Sequence, residues 1–552
     1  MENGVEILEK ESVPLKDTEH SLTKQSLWIL TAKTIGFVLS VLLPLLVVRH
    51  LTQESVGIYR QAFLVIVSAT SIIPMGFSMS AYYFLNRKPE YRESAILNIV
   101  VFNFLAGGLA FIALFTNPGI LTALFRDDQM ASLAPVIGLA IWLAIFSTFL
   151  ETAALANREA KLATGIIIFS QLSRAAVMGG AAVIFESAEA IVYAAVVHGV
   201  GQAVVLMIFL NSRFPRFWMA FNWQFFKEHL RYALPFGFAA LLYNAQADLH
   251  HYFVAHEFST VDYAVYAYGC FQLPLIWALY ESITAVLLPR MSELQSQGRT
   301  REMLAMTARG VHKLAFLYLP MFVFLLIVAD VFVTTLFTSK FAASIPVFRI
   351  NLLLLPLYCL ILDPLERSFK ELGSFLTKVR IVVVAGLATS LYFGVQDFGL
   401  TGVISIVVFF VLIERLISVW RVSRLLGFQP SDIRLFAGVG RVAIAATASG
   451  AVLLLLYVTG ANIILTALTD LCRTVLAHLG FRSGWDFAAG SILLGISALV
   501  YGGVYLALAA RFDAIDREEL SRIRSAFDRI VARGQGVRVW LFGPRVISGT
   551  TD

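Results

Sequence analysis

Residues 94–116, SAILNIVVFNFLAGGLAFIALFT, run from end to end without an Asp, Glu, Lys or Arg. A helix crossing the roughly 30 Å hydrocarbon core of a bilayer needs about 20 predominantly apolar residues, and this stretch is long enough. Thirteen similar segments accompany it, separated by polar or Gly/Pro punctuation. In order, the fourteen expected spans are 26–48, 61–85, 94–116, 131–156, 163–185, 188–210, 233–255, 264–288, 311–337, 345–365, 379–395, 400–420, 442–458 and 487–510. Composition agrees. Of 552 residues, 58% are hydrophobic and 14% charged, against roughly 45–50% and 25% in soluble domains; the mean hydropathy is +0.76. A soluble enzyme, a disordered chain and a disulfide scaffold are excluded. Long apolar runs, in place of alternating segments of about ten residues, argue against an outer-membrane barrel. The expected class is an all-α polytopic membrane protein with about 14 transmembrane helices.

Charge supplies the orientation. With an even number of helices, 33 of the 43 Lys and Arg fall on the side of the N-terminus, six on the other side and four inside helices. Basic loops stay in the cytoplasm, so both termini are expected there. The formal charge of +6 is then an inner-face anchor, and no nucleic acid is expected as a partner. Residues 1–25 mix acidic and basic side chains and form a cytoplasmic arm, without the basic start and short apolar core of a signal peptide. Cys270 and Cys359 lie inside apolar helices and Cys472 stands alone, so no disulfide framework is expected. The piece 461–486 is expected to lie along the outer membrane surface. The basic tail 511–552 carries an apolar stripe, which suits an interfacial helix on the inner side.

The loop 211–232 combines Phe217, Trp218 and Trp223 with basic residues, as an interfacial linker does, and divides the chain into similar halves. His50 precedes Tyr59 by nine residues and His256 precedes Tyr266 by ten; each pair leads into a helix interrupted by proline, Pro74 or Pro274. Two pseudo-repeated six-helix lobes follow, 26–210 and 233–425, with two additional helices in 426–510. Paired halves with a substrate path between them are a transporter arrangement.

A charge at the bilayer centre costs roughly 2.5–3.5 kcal/mol on insertion scales, so deep polar groups face a bundle interior or a wet cavity. Lys33 lies about 10 Å into the first helix at 1.5 Å per residue. Arg174 and His198 fall near mid-depth in the fifth and sixth helices; His198 reads as a packing histidine. In the seventh helix Asn244, Asp248 and His251 share one face by their spacing, and Gln272 and Glu281 share the eighth. These residues, without His198, are the expected cavity set: Lys33, Arg174, Asn244, Asp248, His251, Gln272 and Glu281. Asp248, His250 and His251 raise a metal question, but His250 points away from the shared face, and a structural or proton-handling role is favoured over zinc. No phosphate loop, nucleophile elbow or Rossmann glycine pattern occurs, so no cofactor, resident metal or catalytic residue is expected.

Ser21-Leu22, Ser26 and Ala32-Lys33, followed by Arg49-His50-Leu51-Thr52 and Gly57-Ile58-Tyr59, resemble the opening of bacterial polysaccharide (lipid-linked oligosaccharide) flippases. These belong to the multidrug/oligosaccharidyl-lipid/polysaccharide exporter superfamily. Gly76 with Ala81-Tyr82-Tyr83-Phe84-Leu85-Asn86-Arg87 resembles the end of their second helix, and Trp223 with Lys227-Glu228-His229-Leu230-Arg231-Tyr232-Ala233-Leu234-Pro235 the start of their second half. The resemblance covers about the first 425 residues; Ala264 departs from it where the family often has Gly. It implies alternating access, with the first, second, seventh and eighth helices lining a central cavity. It also implies Lys33 and Arg174 as anion contacts and Asp248 as the ion-coupling or sugar-contacting carboxylate. The implied partners are a polyprenyl-diphosphate-linked oligosaccharide, membrane lipids, a coupling ion (H+ or Na+), and the polymerase and glycosyltransferases of the same process. Two other readings stand beside it: a drug/cation antiporter of the same superfamily, and a membrane glycosyltransferase, polymerase or ligase acting on lipid-linked sugars.

Overall fold

The computed structural model describes residues 41–478 and 484–514, together with Gly36 and Leu39. Lys33, the N-terminal arm and the tail beyond residue 514 lie outside the described residues. All regular structure among the described residues is helical. The helices are α1 Val41–His50, α2 Gln53–Ile72, α3 Phe77–Arg87, α4 Arg92–Thr116, α5 Gly119–Phe125, α6 Gln129–Ser147, α7 Phe149–Ala156, α8 Ala160–Phe185, α9 Ala188–Arg213 and α10 Trp223–Glu257. There follow α11 Thr260–Gly269, α12 Pro274–Ser296, α13 Thr300–Ile327, α14 Ala329–Phe337, α15 Ile345–Asn351, α16 Leu354–Tyr358, α17 Asp363–Ser368, α18 Lys370–Leu425, α19 Ala437–His478 and α20 Trp485–Arg511.

Among the described residues, ten spans are long and apolar enough to cross a membrane, or eleven when α11 and α12, bent by 44° at their break, count as one. The chain is a multi-pass membrane protein. The expected fourteen differ from this number at three places. The first expected span survives among the described residues only as α1. The seventh lies within α10, whose polar content keeps it below a spanning composition. The eleventh and twelfth are joined in α18 across a break at Gly399, where φ is 63° and ψ −170°. Other boundaries moved too. The second half of the expected linker is the start of α10, because the Asn222 side chain caps the helix by accepting from the Phe225 amide at 2.9 Å. The piece expected along the outer surface is largely a continuation of α19, which runs to His478.

The described chain falls into two compact units. The first takes the described part of Met1–Val286 with Val333–Leu354 and Leu365–Arg421; the second takes Leu287–Phe332, Leu355–Pro364 and the described part of Val422–Asp552. In the first unit α9 shows how the bilayer shapes the sequence. Tyr193, Val197, Val200, Val204 and Ile208, at helical spacing, are exposed, while Ile191, Ala194, Leu206 and Phe209 on other faces are buried. A soluble helix would set a polar face opposite its apolar stripe; here the outward face is apolar as well, suited to lipid. A buried cluster including Phe77, Phe84, Ile96, Phe149, Leu206 and Phe225 packs one end of this unit. Arg49 closes another seam: its guanidinium donates to the Leu336 and Thr335 carbonyls at 2.9 and 2.8 Å, satisfying acceptors that a helix end leaves open.

The close approach of the α2–α3 break to α10 organises the first unit. Pro74 precedes Met75 and Gly76, which have φ of 48° and 76°. A Cβ added at Gly76 would lie 2.9 Å from both the Ala233 carbonyl oxygen and Phe236 Cβ, and one at Gly237 would lie 2.7 Å from Met75 Cα. Glycine on both partners lets backbone meet backbone, the usual device for helix association in lipid.

In the second unit α19 and α20 pack on α13. The Tyr501 hydroxyl donates to the Ala446 carbonyl at 3.2 Å and that of Tyr505 to the Phe316 carbonyl at 2.8 Å. Gly450 fits against Val323 and Gly438 against His312.

Replacing Gly76 by Val combines about 1–2 kcal/mol of left-handed backbone cost with a collision against α10. Its thermal midpoint in detergent should fall by several degrees. Gly165→Ala, at a helical site with open space, should leave the midpoint unchanged or raise it, since Ala is favoured over Gly in a helix by about 1 kcal/mol.

Candidate functional site

Polar residues that would be costly in lipid gather between α2, α6, α7, α8 and α9. They line a cavity of about 330 Å³ that includes Thr70 and Ser71 of α2, Glu151 of α7, Gln171 and Arg174 of α8, and His198 of α9. Gln171 and Arg174 share a face of α8, three residues apart; His198 and Gln202 share a face of α9, four apart. His198 Nε2 lies 3.2 Å from the Ser170 carbonyl oxygen and 3.5 Å from Gln202 Nε2. Arg174 forms no hydrogen bond or ion pair among the described residues, so its guanidinium is the available cation of the cavity wall.

A second cavity of about 740 Å³ adjoins the first, and Thr70, Ser71 and Thr148 line both. Its character is different: hydroxyls of Ser78 and Thr152, the rings of Tyr82, Tyr83 and Tyr232, and Arg87. Tyr83 and Tyr232 stack with centroids 4.8 Å apart. Just beyond them Lys88 pairs with Glu228 at 2.6 Å, and that bond holds the Lys88 ammonium above the usual lysine range. One face of the cavity is therefore built by α3 and α10, held together by ring stacking, this ion pair and a buried hydrogen bond between Ser80 and His229.

The expected site residues separate in space. Arg174 lines the first cavity, and none of Asn244, Asp248, His251, Gln272 and Glu281 lines either of the two. Lys33 is outside the described residues, although Gly36, close to it in the chain, lies against Gln171 of the cavity wall. Asp248 Oδ2 accepts from the Ser68 hydroxyl at 2.9 Å, joining α10 to α2. Asn244 donates to the Ala240 carbonyl of its own helix at 2.8 Å. Gln272 sits in the α11–α12 break and accepts from Trp277 Nε1 at 3.0 Å. Glu281 is exposed on α12. His251 belongs to a ring cluster with His250, Tyr263 and Tyr266.

His198, expected as a hydrogen-bonded packing histidine, makes its bond to Ser170 and also lines the polar cavity. Gln171, Gln202, Tyr82 and Tyr232 were not expected there. The signal available for them was their repetition on single faces of α8 and α9, and the Tyr82-Tyr83 pair. His250 also departs from its expected direction: its ring centroid is 4.3 Å from that of His251, and Cys270 joins the two with all three donor atoms within 4.8 Å of one another.

The family model described as polysaccharide biosynthesis protein matches residues 46–346. No curated protein sequence matches the chain. Among solved structures, the lipid II flippase MurJ in an inward closed conformation superposes with a TM-score of 0.64 at 14% identity, covering 89% of this chain and 98% of that one. An outward-facing multidrug resistance MATE family transporter of the MOP superfamily gives 0.53 at 14% identity, over 73% of this chain and 96% of that one. A MOP superfamily transporter from Pyrococcus furiosus, described as having a binding pocket of reversed polarity, gives 0.54 at 14% identity with the same coverage. At these identities the likeness is one of fold.

The first cavity should be wet. With the three native cysteines replaced by Ser, Gln171→Cys should react with a charged, water-soluble thiol reagent. Val197→Cys, on the exposed apolar face of α9, should react only with a membrane-soluble one. An inert Gln171→Cys would mean that the cavity is dry.

Proposed function

The chain belongs to the polysaccharide biosynthesis protein family, and on that premise we propose that it is a flippase. It carries a lipid-linked oligosaccharide or polysaccharide precursor from the cytoplasmic to the outer leaflet of the bacterial inner membrane by alternating access, with both termini in the cytoplasm. Such a cargo leaves its polyprenyl chain in lipid while the diphosphate and sugars cross. Two chemistries are then needed side by side: cationic donors for phosphate oxygens, and rings and hydroxyls for sugar faces and edges. The observation that carries the reading is the adjacency of the Arg174 cavity to the tyrosine- and hydroxyl-lined one.

In this reading Arg174 offers its planar fork to the diphosphate, as guanidinium suits phosphate geometry, and Lys33 adds a second cation. Tyr82, Tyr83 and Tyr232 present ring faces to the sugar. Asp248 is the ion-coupling carboxylate: its bond to Ser68 links α10 to α2, so binding of H+ or Na+ there changes a contact between the two halves of the chain. Asn244, Gln272 and Glu281 meet the cargo in the central path at another stage of the cycle. No covalent step is involved; polymerase and glycosyltransferases act before and after the crossing. A drug/cation antiporter is the second reading, favoured by one feature, the Glu151 carboxylate in the wall of the first cavity.

In reconstituted vesicles, labelled lipid-linked sugar should cross without change of mass; a lengthened or transferred product would mean an enzyme, and drug efflux without sugar movement an antiporter. Arg174→Ala should lower the initial rate about 10- to 100-fold, the equivalent of the roughly 1.5–3 kcal/mol that a hydrogen bond to a charged group contributes, while Arg174→Lys keeps part of it. Asp248→Asn should keep cargo binding and lose the response to an imposed ion gradient. Full activity in both variants would overturn these assignments.

A further inference from the structure

Away from both cavities, two imidazoles and a thiol converge where α11 folds back along α10. The chain leaves α10 at Glu257, turns through Phe258 and Ser259, and re-enters a helix whose N-terminus the Ser259 hydroxyl caps by accepting from the Asp262 amide at 3.1 Å. α11 is ten residues long, about 15 Å at 1.5 Å per residue. This length returns the chain to the level of His250 and His251 just as the helix ends. Cys270 stands at that end, its amide donating to the Tyr266 carbonyl at 2.9 Å, and opens the break that leads to Pro274 and α12. The donor atoms of His250, His251 and Cys270 lie within 4.8 Å of one another.

Two features give this cluster the character of a binding site. His251 Nδ1 is buried with no hydrogen-bond partner among the described residues, a costly state for a ring nitrogen. The His250 ring is fixed by a hydrogen bond with the Tyr266 hydroxyl, 2.7 Å from Nδ1, and a fixed ring orientation is what outer-shell partners give ligating imidazoles. Nearby, the Arg60 guanidinium lies 5.3 Å over the Tyr268 ring and donates to the Ala267 carbonyl at 3.3 Å.

We infer that His250, His251 and Cys270 form a binding site for a thiophilic transition-metal ion of the zinc or cuprous class, which ties α10 to the α11–α12 break. Imidazole and thiolate are the donors such ions prefer, and three protein ligands leave a fourth position for water. Bond lengths of about 2.0–2.1 Å to nitrogen and 2.3 Å to sulfur require the donors to draw closer than they now stand, which rotation of the two imidazoles and the thiol supplies. Binding releases the thiol proton to solvent as the thiolate coordinates. With the metal in place, the hinge between α11 and α12 is cross-linked to α10. The inference does not depend on the cargo.

The test uses full-length protein in detergent, stripped of affinity tag and of metal, in a Cys359→Ser/Cys472→Ser background that leaves Cys270 as the sole thiol. Titration with Co2+ should produce a thiolate-to-cobalt charge-transfer band that saturates at one ion per chain and disappears on addition of Zn2+. Cys270→Ser should abolish the band. His251→Ala and His251→Gln should each weaken Co2+ binding by more than the 10- to 100-fold that loss of an outer-shell partner typically costs. Should the background variant aggregate, the band is read as the difference between wild type and Cys270→Ser. The inference is overturned if monodisperse protein shows no charge-transfer band, or if the band survives Cys270→Ser.

Discussion

Where α2 breaks into α3, the backbone at Met75 and Gly76 rests directly on α10 at Ala233 and Gly237. Lipid supplies no hydrophobic drive to press helices together, so a contact of this closeness depends on small residues and van der Waals fit. Much of the first unit is arranged along the same pair of segments. To one side of the crossing Ser68 bonds Asp248; to the other, Ser80 meets His229, Tyr83 stacks on Tyr232 and Lys88 pairs with Glu228. A bulkier residue at either glycine would move one segment relative to the other and disturb all of these contacts together.

Backbone breaks inside the apolar part of the chain are tolerated only where protein covers them or a cavity wets them. The α2–α3 break, around Pro74, contributes residues to the wall of the larger cavity. The α11–α12 break, ahead of Pro274, has Cys270, His250 and His251 beside it. Pro74 follows the end of α2 and Pro274 opens α12, and in both breaks polar side chains gather nearby. The weak internal repeat in the sequence, a histidine, a tyrosine and then a proline-interrupted helix, thus corresponds to two broken helices that do different things.

The lining of the two polar cavities bears on the selectivity that the proposed reading requires. A lone guanidinium in apolar surroundings would bind many anions; beside tyrosine faces and threonine and serine hydroxyls, it favours an anion that carries something with both flat apolar faces and hydroxyl edges. On the proposed reading, specificity comes from the shape and hydrogen bonding of the second cavity, and charge in the first supplies attraction. Lys227 and Arg231 beside Leu230 and Leu234 line a third, largely apolar cavity of about 660 Å³, a setting where the stems of long cations lie along apolar surface and the charged ends reach out of it.

Helical class and multi-pass character were legible in the sequence, because burial in hydrocarbon selects residues one at a time and leaves runs such as 94–116 unmistakable. Proline-marked breaks and the polar residues at depth were legible for the same reason. The sequence did not reveal which of those residues share a cavity. On helices such as α9, the face toward lipid and the face toward protein are both apolar, so periodicity does not tell how a helix is rotated. His198 read as packing and also lines the cavity; Asp248 and His251 read as one site and have different partners; His250 read as turned away and lies beside His251. Helix ends escaped too: α10 absorbs half of a linker through the Asn222 cap, and α18 bridges two spans through Gly399. Local chemistry therefore determined what each segment is. Tertiary packing, through close contacts such as Gly76 against Ala233, decided which side chains face one another, because that depends on helix rotation and on partners far away in the chain.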